Sequence, residues 1–199
     1  MKTFLHVGCG PKDKSQIKGF NDNWKEIRFD IDKNVNPDIE GTLTDMSLVK
    51  TGSVDAVYSC HNIEHIYPHE VPIALKEFYR VLKDDGIVVI TCPDLQSVCE
   101  AVVQDKLLQP LYESPAGPIS PIDILYGYRK DLAKGNEYMA HKGGFTYSSL
   151  NTSFFEAGFK ARYGGRVNEN GVPNLFLVAF KHEIPEEEIK KIANPFFPS

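Results

Sequence analysis

A glycine turn follows the first apolar run of the chain. Residues 3–7, TFLHV, stop at Gly8, and Gly10 follows after Cys9. Glycine allows a bound molecule to approach bare backbone. In open α/β sheets, ligands bind beyond the carboxyl ends of the strands. The turn therefore predicts a binding site, although a G-x-G pair alone is equally typical of a plain strand-to-loop turn.

The residue at position 13 restricts the class of ligand. Nicotinamide-binding turns have a third glycine there, which packs the helix against the strand, but this chain has Asp13. A carboxylate at this position is unfavourable beside a pyrophosphate. S-adenosylmethionine has no phosphate, so the turn favours this cofactor over a dinucleotide.

Two acidic residues, Asp30 and Asp32, end the second predicted strand on either side of Ile31. A carboxylate at this place accepts hydrogen bonds from both hydroxyls of a ribose. The glycine turn lies about twenty residues upstream, the spacing that dinucleotide folds also use for the ribose. Either acid fits the role, and we predict Asp30, with Ile31 beside it in the cofactor site. Solvated acids at a strand end are the alternative interpretation.

Asp45 and Met46 follow a weak third strand. The Asp45 carboxylate is a suitable acceptor for the exocyclic amine of adenine, and the Met46 thioether is suited to pack on the adenine face. An aspartate in such a loop is also common as a turn or helix cap.

Polar groups cluster after the fourth strand, in the stretch Ser59–Ile66. It contains Cys60, His61, Glu64 and His65. We predict His65 as a general base, because an imidazole exchanges its proton near neutral pH. A purely local role for Glu64 and His65, orienting the loop or capping the next helix, is an equally good interpretation.

The surrounding pattern predicts a parallel α/β sheet that positions these residues. Compact β-branched runs at residues 3–7, 26–31, 54–59 and 86–91 read as strands, with a weak strand at 40–43. Between the runs at 54–59 and 86–91, apolar residues recur at helical spacing, namely Val71, Leu75, Phe78 and Leu82. Residues 11–25 show little periodicity. Residues 148–157 read as a helix, and residues 159–163 and 175–181 as a hairpin around a turn at 168–171.

The segment from Asp94 to Gly144 breaks this pattern. It is rich in proline, and no period survives around residues 110–121. Long inserts of this kind are often functional lids. We expect one domain over residues 1–199, with residues 94–144 as a substrate-covering insert and residues 183–199 as a tail that contains one helix.

Composition limits the classes of partner. The chain has 199 residues, with 22 basic and 27 acidic side chains and a net charge of −5, which argues against a nucleic-acid binder. The four cysteines show no C-x-x-C spacing, and no clustered Asp and Asn ligands are recognisable, so we predict no metal. Reduced thiols and the lack of a long apolar run predict a cytoplasmic protein with no membrane span.

Five segments in order resemble class I methyltransferases, most closely the small bacterial predicted methyltransferases of the methyltransferase type 11 group. They are LHVGCGPK, FDID, the TDM to GSVDAVYSCHNIEHI stretch, EFYRVLKDDG with GIVVITCPD, and LNTSFFEAGFKA. The resemblance implies a Rossmann-like doubly wound sheet of seven strands, mostly parallel, with a C-terminal antiparallel hairpin strand. It also implies S-adenosyl-L-methionine as the cofactor.

The family pattern assigns roles to particular residues of this chain. It places Gly8 and Gly10, with Cys9 between them, at the methionine end of the cofactor, and Asp30 at the ribose. It places Asp45 and Met46 at the adenine and the Cys60–His61 region on the cofactor's underside. One position departs from the pattern: His6 stands where the family has an acidic residue, which changes how the cofactor's amino group is held.

The resemblance also gives the insert a role. The family's usual N-terminal cap helix has no counterpart before the first strand, so we expect residues 94–144 to cover the acceptor instead. Candidate lining residues are Tyr126, Tyr128, Arg129 and His141. His141 is predicted as a second general base, facing His65 across the acceptor. An insert that merely covers a sheet edge is the alternative.

The predicted function is methyl transfer from S-adenosylmethionine to oxygen or nitrogen of a small-molecule or carbohydrate acceptor. A catalytically silent S-adenosylmethionine-binding scaffold or sensor is the alternative. A nicotinamide reductase is a distant third hypothesis, because the Y-x-x-x-K spacing of Tyr126 and Lys130 lacks the accompanying glycine motif. The sequence predicts neither the acceptor's identity nor the oligomeric state.

Overall fold

A seven-stranded sheet forms the centre of the molecule in the computed structural model, which describes residues 1–169 and 171–197. The strands of this sheet are β1 (Lys2–Val7), β2 (Trp24–Asp30), β3 (Ile39–Glu40), β4 (Val54–Cys60), β5 (Leu82–Pro93), β8 (Ala161–Glu169) and β9 (Val172–Phe180). A separate small hairpin consists of β6 (Tyr112–Ser114) and β7 (Gly117–Ile119). The helices are α1 (Val71–Val81), α2 (Leu95–Val103), α3 (Pro121–Tyr126), α4 (Arg129–Leu132), α5 (Tyr147–Glu156) and α6 (Glu186–Ala193).

The strand order confirms the predicted fold class. It is β3-β2-β1-β4-β5-β9-β8. Neighbours from β3 to β5 run parallel, whereas β9 is antiparallel to both β5 and β8. The order reverses between β1 and β4, so a crevice opens at their carboxyl ends. Part of the predicted hairpin turn, Asn170, lies outside the described residues.

Helix α1 covers one face of the sheet because its apolar residues fall on one side. Val71, Ala74, Leu75, Phe78 and Val81 are buried, and Pro72 lies in the first turn, where its missing N–H costs no hydrogen bond. Helix α5 packs against the same core. The predicted helix is therefore confirmed, although the chain passes directly into β5 at Leu82.

The other face of the sheet is covered without a long helix. The aromatic residues Phe4, Phe20, Trp24 and Phe196 pack together there. Phe196 lies so close to Gly19 that a β-carbon on that glycine would come within 2.4 Å of the Phe196 ring. The tail beyond residue 183 thus completes this part of the core.

The insert has more regular structure than its sequence indicates. Residues 110–121, where the sequence shows no period, contain the paired strands β6 and β7. Helix α2 was not predicted either. Both ends of the insert are fixed, because Leu95 N–H donates to Phe145 O and Asp94 N–H donates to Pro173 O. The predicted strand at 40–43 is reduced to Ile39–Glu40.

No helix in the two described ranges has the length and apolarity needed to cross a bilayer.

Candidate active site

The glycine turn and Asp30 form one unit at the carboxyl ends of β1 and β2. Gly8 and Gly10 have φ of +65° and +52°, conformations that side chains disfavour. The Gly10 N–H donates to Asp30 Oδ2 at 2.8 Å, and the Asp32 N–H donates to Asp30 Oδ1 at 2.9 Å. The Cys9 thiol also contacts this carboxylate. A carboxylate has about four lone-pair sites, so Asp30 retains acceptor capacity beyond these three donors.

The two glycines differ in what surrounds them. A β-carbon on Gly10 would meet nothing within 4 Å, whereas one on Gly8 would lie 2.3 Å from Asn62 Nδ2. The backbone at Gly10 is therefore open to an approaching molecule, and the backbone at Gly8 is packed against the end of β4.

Asn62 is a candidate site residue that the sequence analysis did not single out within the stretch Ser59–Ile66. Its Nδ2 is buried and has no hydrogen-bond partner, an unfavourable state for an amide unless a ligand supplies an acceptor. The preceding residue, His61, has φ of +49°, which is strained for a residue with a side chain. The only sequence signal was the position of Asn62 directly after a strand.

Ile31 and Asp32 lie next to Asp30 but differ in their contacts. The Ile31 side chain is 44% exposed, so it offers a free apolar surface beside the carboxylate. The Asp32 carboxylate instead accepts from the Asn34 N–H at 2.9 Å and caps a short 3-10 turn. Asp30 is therefore the acid that faces the glycine turn.

Asp45 and Met46 have contacts within the protein. Asp45 Oδ1 accepts from the Ser47 N–H at 3.0 Å, the turn geometry named as the alternative interpretation. The Met46 side chain is fully buried in the core. Its N–H donates to Glu77 Oε2 at 3.0 Å, and its carbonyl accepts from Arg80 at 2.8 Å. The predicted packing of the Met46 thioether on adenine would therefore require the Met46 side chain to leave the core. The Asp45 carboxylate, by contrast, is exposed at the surface.

The His6 side chain pairs with Glu26. The His6 Nδ1 lies 2.7 Å from Glu26 Oε1, and Glu26 Oε2 accepts from the Lys14 N–H at 2.9 Å. Burial lowers the pKa of His6, against the opposing effect of Glu26. Glu26, which the sequence analysis did not single out, thus supplies a carboxylate next to the position where the family carries its acid.

Two cysteines predicted in the cofactor site differ in environment. Burial raises the pKa of the Cys9 thiol to about 11, so it is protonated and unreactive at neutral pH. Cys60 is less buried and accepts from Thr91 Oγ1 at 3.3 Å. All four cysteines are free thiols.

The predicted bases His65 and His141 meet in the folded chain. Their ring centroids are 4.7 Å apart, at an interplanar angle of 78°. Glu64 lies beside them and is 1% exposed, with Oε1 3.5 Å from His61 Nδ1. Partial burial acts to lower the pKa of His61, but Glu64 and Cys60 together outweigh this effect and raise it to about 9.

A cavity of about 280 Å³ opens beside this group, where β4 and β5 end and β9 begins. Its lining includes His61 but neither His65 nor His141. Other lining residues are Tyr58, Cys60, Thr91, Asn174 and Phe176. Asn174 lines the cavity, and its Oδ1 is buried without a hydrogen-bond partner.

Comparison with known proteins identifies the family. Residues 5–90, which run from within β1 to within β5 and include every cofactor residue discussed above, match the family model described as methyltransferase domain. The matched part of this chain is a methyltransferase domain. No curated protein matches the chain significantly.

Solved structures share the fold of this methyltransferase at low sequence identity. An S-adenosylmethionine-dependent methyltransferase from Methanosarcina mazei matches with a TM-score of 0.60 and 14% identity, over 90% of this chain and 92% of that one. A possible histamine N-methyltransferase from Thermotoga maritima matches with a TM-score of 0.57 and 14% identity, over 92% and 83%. The 1,6-didemethyltoxoflavin-N1-methyltransferase of Burkholderia thailandensis, with its substrate and S-adenosylhomocysteine bound, matches with a TM-score of 0.56 and 15% identity, over 92% and 72%.

The methyltransferase's own residues fit the cofactor of its family. The open space at Gly10, the unpartnered Asn62 amide and the spare lone pairs of Asp30 lie around one turn. The amide can donate to a carboxylate such as that of a methionine group, and Asp30 can accept from ribose hydroxyls. A donor, an acceptor and bare backbone are therefore available for S-adenosylmethionine.

Proposed function

We propose that this methyltransferase modifies an oxygen or nitrogen atom of a small, polar acceptor, such as a carbohydrate, held in the cavity beside His61. The unpartnered Asn174 Oδ1 in the wall of that cavity carries the proposal. A buried acceptor atom without a donor costs free energy, and a ligand hydroxyl or amine would satisfy it.

The composition of the cavity supports this class of acceptor. Thr91 and Asn174 offer hydrogen bonds, while Tyr58 and Phe176 offer aromatic surface. A combination of aromatic surface and a few polar groups is typical of sites for small molecules. The volume of about 280 Å³ is close to the lower end of ligand pockets, about 300 Å³, which favours a compact acceptor.

The proposed cofactor site adjoins this cavity. Asn62, which packs against Gly8, directly follows His61 in the cavity wall. We assign Asp30 to the ribose, with Ile31 and Asp45 beside the adenine, and Gly8, Gly10 and Asn62 to the methionine end. The bound cofactor supplies an electrophilic methyl group on a sulfonium.

The protein's contribution to the reaction is orientation and exclusion of water. Asn174 and Thr91 would hold the acceptor, and Asn62 would fix the methionine end beside it. The general-base roles of His65 and His141 stay predictions. The two rings lie together, but His61 is the histidine that lines the cavity.

Turnover distinguishes an enzyme from a silent binding protein. The purified chain is incubated with methyl-labelled S-adenosylmethionine and panels of sugars, hydroxylated aromatics and amines, and S-adenosylhomocysteine is measured. We expect turnover with a hydroxyl- or amine-bearing compound. Asn174→Leu should raise KM for that acceptor without changing cofactor affinity. Tight cofactor binding with no labelled product from any panel would favour the scaffold hypothesis.

A further inference from the structure

Three side chains that could hold a metal ion meet behind the cavity. Glu64 and His65 lie in the short 3-10 turn Ile63–His65 after β4, and His141 comes from the end of the insert. One carboxylate oxygen and one ring nitrogen from each histidine lie within 4.8 Å of one another. Two histidines and one carboxylate are a ligand set that Zn²⁺ uses in sites with an open coordination position.

The hydrogen bonds of both histidines fix the ring nitrogen that is free. His65 Nδ1 lies 3.1 Å from the carbonyl of Ala140, and His141 Nδ1 lies 2.6 Å from the carbonyl of Ile124. A carbonyl oxygen only accepts, so each ring carries a proton on Nδ1. In the neutral rings, Nε2 therefore has a free lone pair. Histidines that bind metals commonly donate their other N–H to a carbonyl or carboxylate in this way.

Glu64 provides the independent observation that points to a cation. It is 1% exposed, and neither carboxylate oxygen has a hydrogen-bond partner. A buried carboxylate without such partners is strongly unfavourable. The His61 Nδ1 forms an ion pair with Oε1 at 3.5 Å, a distance too long for a strong hydrogen bond.

We propose that Glu64, His65 and His141 bind one divalent cation of the Zn²⁺ type, through one carboxylate oxygen of Glu64 and the Nε2 atoms of the two histidines. In a tetrahedral site the ligand atoms are about 3.3 Å apart. The three ligand atoms lie within 4.8 Å of one another, so they would close by up to about 1.5 Å on binding.

The cation would fasten the insert to the Rossmann-like core. The N–H groups of Lys142 and Gly143 already donate to the Glu64 carbonyl, at 2.9 and 3.1 Å. Coordination by His141 would add a bond between the same two segments. Since a structural metal site contributes its binding free energy to folding, metal should stabilise the contact between residues 64–65 and 140–143.

Metal binding is tested on the full chain without cofactor or acceptor, after removal of any affinity tag and treatment with chelator. Calorimetry with ZnCl₂ should show one equivalent bound, and Co²⁺ should give the visible absorption of a four- or five-coordinate site. Zn²⁺ should also raise the Tm. His69→Ala is the matched control, because His69 is exposed and stacks on Tyr67 outside the cluster. The His69→Ala variant should bind Zn²⁺ with the same affinity as the parent chain.

Two variants separate loss of ligands from loss of folding. Glu64→Gln keeps the shape of the side chain, and His141→Ala removes a ligand from the insert. Each should weaken Zn²⁺ binding at least tenfold and abolish the rise in Tm. Circular dichroism identifies any variant that fails to fold. The absence of saturable Zn²⁺ binding to the parent chain would overturn the proposal, as would unchanged binding in a folded Glu64→Gln variant.

Discussion

Asp30 Oδ2 accepts the Gly10 N–H at 2.8 Å, so the acid that ends β2 also holds the turn that ends β1. Two sequence motifs about twenty residues apart are thereby joined into one site. A molecule that contacts the open backbone at Gly10 is necessarily close to a carboxylate with unused lone pairs. This relationship explains why neither motif is informative alone and why the two together favour a ribose-containing cofactor.

Replacing Asp30 should weaken cofactor binding. Loss of a charged acceptor for hydroxyl groups costs on the order of 1.5–3 kcal/mol, so Asp30→Ala should reduce affinity for S-adenosylhomocysteine at least tenfold by calorimetry. Asp32→Ala is the control, because the Asp32 carboxylate caps a local turn instead. A larger loss in Asp32→Ala than in Asp30→Ala would transfer the ribose to Asp32.

Asn62→Ala should separate binding from stability. The variant removes a buried amide nitrogen that lacks a partner, so the free energy of unfolding of the apo protein should change little. Affinity for S-adenosylhomocysteine should fall about threefold to tenfold, because a typical hydrogen bond contributes about 0.5–1.5 kcal/mol. Urea titration and calorimetry measure the two quantities. If stability falls strongly and affinity does not, Asn62 serves packing against Gly8 alone.

His6 should make stability depend on pH. The groups that act on it are Glu26, which opposes the effect of burial, and Arg28 and Lys12, which add to it. The net result is a pKa below the ordinary 6.5, so the unfolded chain takes up this proton more readily than the folded protein. The contribution of neutral His6 to the free energy of unfolding is therefore complete above a pH of about 6.5 and is lost as the pH falls below that value.

Urea titrations at pH 7.5 and 5.5 test this expectation. The parent chain should lose more free energy of unfolding between the two pH values than His6→Gln, which does not titrate. Equal losses in the two proteins would show that His6 titrates alike in the folded and unfolded states.

The first residue of the insert should control how firmly the insert is held. The buried Asp94 carboxylate accepts from Arg166 Nε and from Ser97 Oγ, both at 2.6 Å. Asp94→Ala should destabilise the protein by about 1–3 kcal/mol and increase the rate of limited proteolysis within residues 95–144. Asp131→Ala, which removes only the surface pair with Lys134, should cost less than about 1 kcal/mol. Equal rates of proteolysis in both variants would mean that contacts other than those of Asp94 hold the insert.

The sequence predicts those parts of the fold that are governed by local pattern. Helix α1 follows from the spacing of Leu75 and Phe78, and β5 from a run of β-branched residues. Helix α2 was missed because the prolines around it obscured a short apolar stripe. The small hairpin of β6 and β7 contains Pro118, which is atypical of a central strand and is tolerated here because the hairpin has only edges.

The site is predicted less completely because long-range contacts build it. Asp30 and Gly10 were found because the spacing between them is fixed by β1 and β2. The contact of Asn62 with Gly8 and the pairing of His6 with Glu26 left no pattern in the chain. His65 and His141 were each noticed, but their ligand arrangement with Glu64 emerges only when the insert returns to the end of β4.

Two matched valine variants test most directly whether the glycine turn is the cofactor site. Gly10 and Gly52 have positive φ of 52° and 63°, and neither has any atom within 4 Å of a built β-carbon. Gly52, however, precedes β4 at the amino ends of the parallel strands, whereas Gly10 follows β1 at their carboxyl ends. Both variants should therefore carry similar backbone strain. In calorimetric titration with S-adenosylhomocysteine, Gly52→Val should bind as the parent chain does, and Gly10→Val should show no detectable binding. Unchanged affinity for S-adenosylhomocysteine in a folded Gly10→Val variant would show that the glycine turn is not the cofactor site.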